Sequence, residues 1–167
     1  NFLTDTALKA ILADSEEKQA LAYYTQQKHN VYISDQDSNF ANEHPRNTLV
    51  ASSKGCITDD LIEADSPLRT LYGSPLFQSF LCTVVNEPAL YPYADSVSSI
   101  NVHYASAGQE LGWHFDNSAF ATTLLVRKPQ GGGDFQYISD MQFKNNGERD
   151  YDSVGALLQG TPAKEPL

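Results

Sequence analysis

The pattern of residues predicts an α+β domain, mainly β, in which a layer of helices covers a β-sandwich or barrel. Three observations carry this expectation. Apolar residues recur at helical spacing in the first part of the chain, at Ala7, Leu8, Ile11 and Leu12 and again at Ala20, Leu21 and Tyr24. Beyond Pro92 the period falls to two: over residues 97–104, Ile100, Val102 and Tyr104 share one face while Ser99, Asn101 and His103 share the other. The strand-like segments then follow one another with no helical pattern between them, which excludes a doubly wound α/β sheet.

Taken in order, residues 5–28 are expected to be helical, with a break at Asp14-Ser15 where a second helix is capped. Short strands are expected at 31–33 and 48–51, on either side of a polar loop, 35–47, that makes a candidate lid. Thr58-Asp59-Asp60 reads as the start of a helix, where acidic side chains meet unpaired amides. Ser66-Pro67 and Ser74-Pro75 each place a cap before a proline suited to the first helical position. After the second pair, Leu76, Phe77, Phe80, Leu81, Val84 and Val85 trace one helical face over 75–85, and its aromatics are expected in the core. Residues 120–127 and 134–138 read as further strands, separated by the turn run Gly131-Gly132-Gly133. The whole is expected to be a single domain, 1–167, with residues 1–92 as helical layer and lid region and 93–167 as the first part of the β core.

Composition bounds the function. The 167 residues, 41% hydrophobic and 19% charged, suffice for a core that buries roughly two-thirds of the unfolded surface, so neither disorder nor a stapled mini-fold is indicated. With 11 basic and 21 acidic residues the formal charge is -10, which repels phosphate backbones and anionic lipid, so nucleic acid and membrane surfaces are not expected partners. No apolar stretch approaches the length of a membrane span and no basic-then-apolar leader opens the chain, so a cytoplasmic location is expected. Cys56 and Cys82 lie in no metal-binding spacing and, beside apolar residues, read as small buried residues.

The chemistry concentrates in Trp113-His114-Phe115-Asp116. In an extended chain residues i and i+2 project from one face, so the His114 imidazole and the Asp116 carboxylate converge while Trp113 and Phe115 point the other way. An imidazole and a carboxylate supply two corners of the facial triad that holds non-heme iron. His29, His44 and His103 are expected in ordinary surface or hydrogen-bonding roles, with His103 directed away from the face of Tyr104.

The stretch Asn101-Val-His-Tyr-Ala-Ser-Ala-Gly-Gln-Glu-Leu-Gly-Trp-His-Phe-Asp-Asn117 resembles the prolyl-hydroxylase-like iron(II)/2-oxoglutarate-dependent oxygenases. There a strand ending in Tyr leads through a Gly-containing turn into a His-x-Asp strand, and Ala121-Thr-Thr-Leu-Leu-Val126 and Gly132-Gly133-Asp134-Phe135 follow that order too. Ser52-Ser-Lys-Gly-Cys-Ile-Thr-Asp-Asp60 and His114-Phe-Asp-Asn-Ser-Ala-Phe120 are similar to a bacterial branch of radical halogenases and free-amino-acid hydroxylases. The resemblance implies a double-stranded β-helix (jelly roll) that uses Fe(II), 2-oxoglutarate and O2 to form a ferryl species and hydroxylate a small molecule, a free amino acid. It implies His114 and Asp116 as catalytic metal ligands, Tyr104 as a contact to the 2-oxoglutarate carboxylate and Asn117 as a substrate contact, with His114 and Asp116 facing an interior cavity near Tyr104. It also implies hydroxylation rather than halogenation, since halogenating members carry a small residue where Asp116 stands.

The family's third ligand, a histidine, and its basic anchor for 2-oxoglutarate have no match here: no histidine follows Asp116, and Arg127 and Arg149 lie elsewhere. The C-terminal strands are therefore expected to be missing from this chain, with Ala163-Lys-Glu-Pro-Leu167 as the opening of the next one. The alternative is an inactive or non-enzymatic β-helix that binds a ligand without turning it over. Oligomeric state is left open by the sequence.

Overall fold

Thr4 opens the first helix by accepting the Ala7 amide on its hydroxyl at 3.2 Å, and α1 (Asp5–Lys18) follows in the computed structural model, which describes residues 2–167. The expected break at Asp14-Ser15 is absent, because the Ser15 hydroxyl donates back to the Ile11 carbonyl at 2.8 Å and stays within the helix. After a 3-10 turn (Gln19–Leu21) the chain becomes β1 (Tyr23–Asn30), where helix was expected to continue to 28. Tyr23, Tyr24 and Thr25 lose rotamer freedom in a helix and suit a pleated strand. The strand expected at 31–33 is instead a turn, with Ile33 at φ 47°.

β2 (Leu49–Ile57) takes up residues 49–51 of the strand expected at 48–51 and extends it to Ile57. β3 (Val102–Tyr104) pairs antiparallel with β2, Gly55 opposite Tyr104, Cys56 opposite His103 and Ile57 opposite Val102, in a three-stranded sheet of order β1-β2-β3. His103 is exposed while Val102 and Tyr104 are half-buried, as the alternation required. Only these three residues of the expected 97–104 strand enter the ladder. Contacts divide the chain into two units. One holds the chain up to Thr25, Lys54–Ala107 and Leu124–Lys128; the other holds Gln26–Ser53, Gly108–Thr123 and Pro129–Leu167.

In the first unit, Ile11, Ile57 and Ile62 are buried. Lys18 is buried too, its ammonium held by Asp14 at 2.5 Å and by the exposed Glu63 at 2.6 Å, so the charge is matched twice. Thr58 precedes a 3-10 turn (Asp59–Leu61). Both Ser-Pro pairs start helices: α2 (Pro67–Tyr72), whose Ser66 hydroxyl accepts the Leu68 amide, and α3 (Pro75–Val85). The core expected on α3 is not formed. No residue of α3 is buried and Leu76 is 84% exposed, although Phe77 and Phe80 meet the Phe2 ring at 5.9 and 5.3 Å. Periodicity marks which face is apolar, but a partner must cover it before it becomes core.

In the second unit, Val31, Tyr32, Met141 and Val154 form a buried cluster, with Trp113, Phe115, Ile138, Tyr151, Leu157 and Leu158 packed against it. Part of that cluster comes from α4 (Tyr151–Leu158), a helix not anticipated; Asp150 caps it by accepting the Ser153 amide at 3.1 Å. The 35–47 loop closes on Asn47, which is buried; its amide group donates to the carbonyls of Asp37, Phe40 and Ala41 and accepts the Asp37 amide. The strands expected at 120–127 and 134–138 do not form, and Leu125 and Phe135 are exposed. A strand is stabilised by its neighbour's amides and carbonyls, and here only Tyr137 finds such a match, exchanging both backbone bonds with Leu167. Among the described residues the architecture is thus α+β, with four α-helices and one small sheet. Both cysteines are free thiols, and no helix is long and apolar enough to cross a membrane.

Candidate metal site

His114 and Asp116 lie on an extended segment of the second unit that runs beside β2. The Phe115 amide donates to the Val31 carbonyl at 2.8 Å, and the Trp113 and Phe115 side chains pack on the Val31–Tyr32 cluster. That anchors one face of the segment in the core and turns the other outward, so His114 and Asp116 share the outward face as their two-residue spacing required. Their side chains converge: His114 Nε2 stands 3.4 Å from Asp116 Oδ1.

The His114 ring is also fixed from its other nitrogen. Nδ1 lies 2.8 Å from the Gly112 carbonyl, an acceptor only, so Nδ1 carries a proton and Nε2, on the carboxylate side, is the nitrogen left to meet a metal. Tethering one imidazole nitrogen to a carbonyl while the other faces a ligand is the usual arrangement around protein-bound metals. Two donors about 2.1 Å from one ion and at right angles stand about 3.0 Å apart, so 3.4 Å suits neighbouring corners of a coordination shell. As a bare ion pair between side chains 33% and 59% exposed, the same contact contributes at most about 1 kcal/mol.

The residues present therefore fit the imidazole and carboxylate corners of a non-heme iron site. Among the described residues no three of His, Cys, Asp or Glu gather closely enough to enclose an ion. The pair was expected to face an interior cavity, but both side chains are partly open to solvent, His114 by a third and Asp116 by more than half. A hollow of about 440 Å³ in the same unit is lined by Phe115, Ile138, Met141 and Phe143 among others, with Phe115 rather than His114 or Asp116 at its wall.

Asn117 is exposed, in the bend that follows Asp116. Tyr104 belongs to the first unit, where its hydroxyl donates to the Ser15 carbonyl at 2.5 Å. That carbonyl is left over at the end of α1, because the Gln19 amide bonds to Glu16 instead, so Tyr104 acts as a C-terminal cap. Burial pushes the Tyr104 phenol above its ordinary pKa, with Tyr24 and Asp14 adding to the effect, which keeps its proton available for this bond. Of the two later arginines, Arg127 pairs with Glu16 and Arg149 lies over the Tyr32 and Phe143 rings at 4.9 and 4.8 Å. His44 accepts the Arg46 amide, and His103 meets the Lys54 ammonium at 3.1 Å.

Two residues around His114 escaped the sequence reading. Gly112 lies so close to β2 that a Cβ there would come within 2.6 Å of the Ala51 carbonyl oxygen and of the Val50 side chain. Its amide donates to the Ser52 hydroxyl at 2.9 Å. The glycine two residues before the histidine was the one local signal available.

The Halogenase D family model matches residues 6–163. No curated protein and no solved structure matches the chain. With the match running through the sheet and the His114–Asp116 segment to α4, the chain belongs to the halogenase D family.

Proposed function

We propose that the protein is an iron(II)/2-oxoglutarate-dependent oxygenase that hydroxylates a small molecule, a free amino acid. The observation that carries the proposal is the convergence of His114 Nε2 and Asp116 Oδ1 at 3.4 Å, with Nδ1 already tied to Gly112. His114 would hold the ion through the Nε2 lone pair and Asp116 through a carboxylate oxygen. When bound, iron(II) supplies the oxygen-activating chemistry; overall, one atom of O2 enters a substrate C–H bond, the other enters succinate, and CO2 leaves. Asp116 also decides the outcome between the two chemistries known in such families. With iron bound, the Asp116 carboxylate would be a ligand where a halide would otherwise have to bind and would repel that anion, which favours hydroxylation.

With this reading goes the double-stranded β-helix as the architecture of the catalytic domain, and Asn117, exposed beside Asp116, as a substrate contact. Tyr104 remains the residue assigned to the 2-oxoglutarate carboxylate; because its single hydroxyl proton is given to Ser15, that role requires the cap to be released. A non-catalytic ligand-binding domain is the second reading, favoured by the lack of a third protein ligand among the described residues.

The test is to incubate the protein with iron(II), 2-oxoglutarate, chloride and a panel of free amino acids and to read product masses. A product heavier by one oxygen, formed with succinate, is expected. A chlorinated main product overturns the role given to Asp116, and no 2-oxoglutarate turnover with any substrate favours the binding domain.

A further inference from the structure

A chain of hydrogen bonds runs from β1 through β2 to His114, all within one unit. His29 Nδ1 lies 2.9 Å from the Asn30 carbonyl, so that nitrogen carries the proton of the neutral ring and Nε2 is an acceptor. Ser52 Oγ lies 2.7 Å from this Nε2 and donates its only proton there. Its lone pairs are then free to accept, and they take the Gly112 amide proton at 2.9 Å. The other side of the glycine residue, its carbonyl, receives the His114 Nδ1 proton at 2.8 Å.

Each donor in this chain meets an acceptor, and because the Gly112 amide can only donate and its carbonyl only accept, the bonds to Ser52 and His114 have one possible direction each. Ser52 is buried, so its hydroxyl has no water to turn to. The close approach at Gly112, where even a methyl group would strike Ala51 and Val50, keeps that residue within reach of Ser52. The His29 and His114 rings themselves stand edge to face, 6.1 Å apart at 87°, so His29 acts on His114 through Ser52 and Gly112 and not by a direct hydrogen bond.

We propose that Ser52, oriented by His29, is a positioning residue that fixes the Nδ1–H tautomer and the aim of His114 by clamping Gly112. The inference rests on the metal-site reading for its purpose but concerns a geometry that exists without the metal. Partners of this kind around metal-bound histidines commonly change metal affinity or activity about 10- to 100-fold when removed.

The experiment compares Ser52→Ala, Ser52→Thr and the neighbouring Ser53→Ala, which loses a hydroxyl that accepts the Glu110 amide at 3.3 Å. Two readouts are taken: Co(II) affinity by titration, and the His114 tautomer in metal-free protein from imidazole nitrogen chemical shifts. Ser52→Ala is expected to weaken Co(II) binding about tenfold and to convert the single Nδ1–H signal into a mixture, with Ser52→Thr restoring both and Ser53→Ala leaving both unchanged. Should Ser52→Ala fail to fold, Ser52→Cys, similar in volume and a weak acceptor, carries the same expectation. A folded variant of either kind with wild-type tautomer and wild-type affinity overturns the proposal. If the unmutated protein binds no Co(II), the metal reading fails alone, and the tautomer measurement still decides the role of Ser52.

Discussion

Replacing Gly112 with alanine is the sharpest local test of how the candidate site is built. The added Cβ would sit 2.6 Å from the Ala51 oxygen and from Val50 Cγ2, whereas ordinary contact begins at 3.4 Å. The Ala51 oxygen is backbone within β2 and cannot swing aside, so the 112 segment must retreat by about 0.8 Å. That would stretch the Gly112 amide to Ser52 bond from 2.9 Å to about 3.7 Å, beyond hydrogen-bonding range. Overpacking of this kind costs about 1–3 kcal/mol and the lost bond about 1 kcal/mol more, for about 2–4 kcal/mol in all. Urea denaturation of Gly112→Ala measures it. Gly131→Ala is the control, because a Cβ there meets nothing within 4 Å, and it should fall within about 0.5 kcal/mol of the parent. A Gly112→Ala protein as stable as the Gly131→Ala control would refute the close approach and the clamp that depends on it.

Burial raises the Tyr32 phenol to a pKa of about 12, with Tyr151 adding to the effect and Arg149 and Arg46 opposing it. The unfolded chain ionises near pH 10, so stability present below pH 10 should drain away between about pH 10 and 12, by up to about 2–3 kcal/mol; urea midpoints of the parent should fall more steeply over that window than those of Tyr32→Phe, and parallel declines would contradict this. The Tyr32 hydroxyl is buried without a hydrogen-bond partner, so Tyr32→Phe should cost nothing at neutral pH. Asn47→Ala should remove the four bonds that close the 35–47 loop, lowering stability by about 2–4 kcal/mol and speeding protease cleavage within the loop, whereas unchanged cleavage would show that the loop holds its shape without Asn47.

What could be read from the sequence was what is decided locally. Ser66-Pro67 and Ser74-Pro75 start helices because a cap and a fixed φ act within one turn. His114 and Asp116 share a face because strand parity acts over two residues. The misread features depend on distant partners. Residues 120–127 have strand composition yet no ladder, and α3 has an apolar face yet no cover, because neither property forms without a neighbour. Residues 23–28 were read as helix from the spacing of Ala20, Leu21 and Tyr24, but pairing with β2 drew them into β1. The cap of α4 at Asp150 and the spacing of Val154, Leu157 and Leu158 were visible, and the expectation of an unbroken run of strands hid them. The contact of Ser52 with Gly112 spans 60 residues of sequence, and no periodicity reports it.

His114 and Asp116 are proposed to bind one divalent metal ion together. Anaerobic Fe(II) titration of the parent protein, His114→Ala and Asp116→Ala, with folding checked by circular dichroism, tests it most directly. One site is expected in the parent, of modest affinity because two side chains and solvent complete it, weakened at least about tenfold in each variant. Parent and variants binding iron equally, or a folded parent binding none, would contradict it.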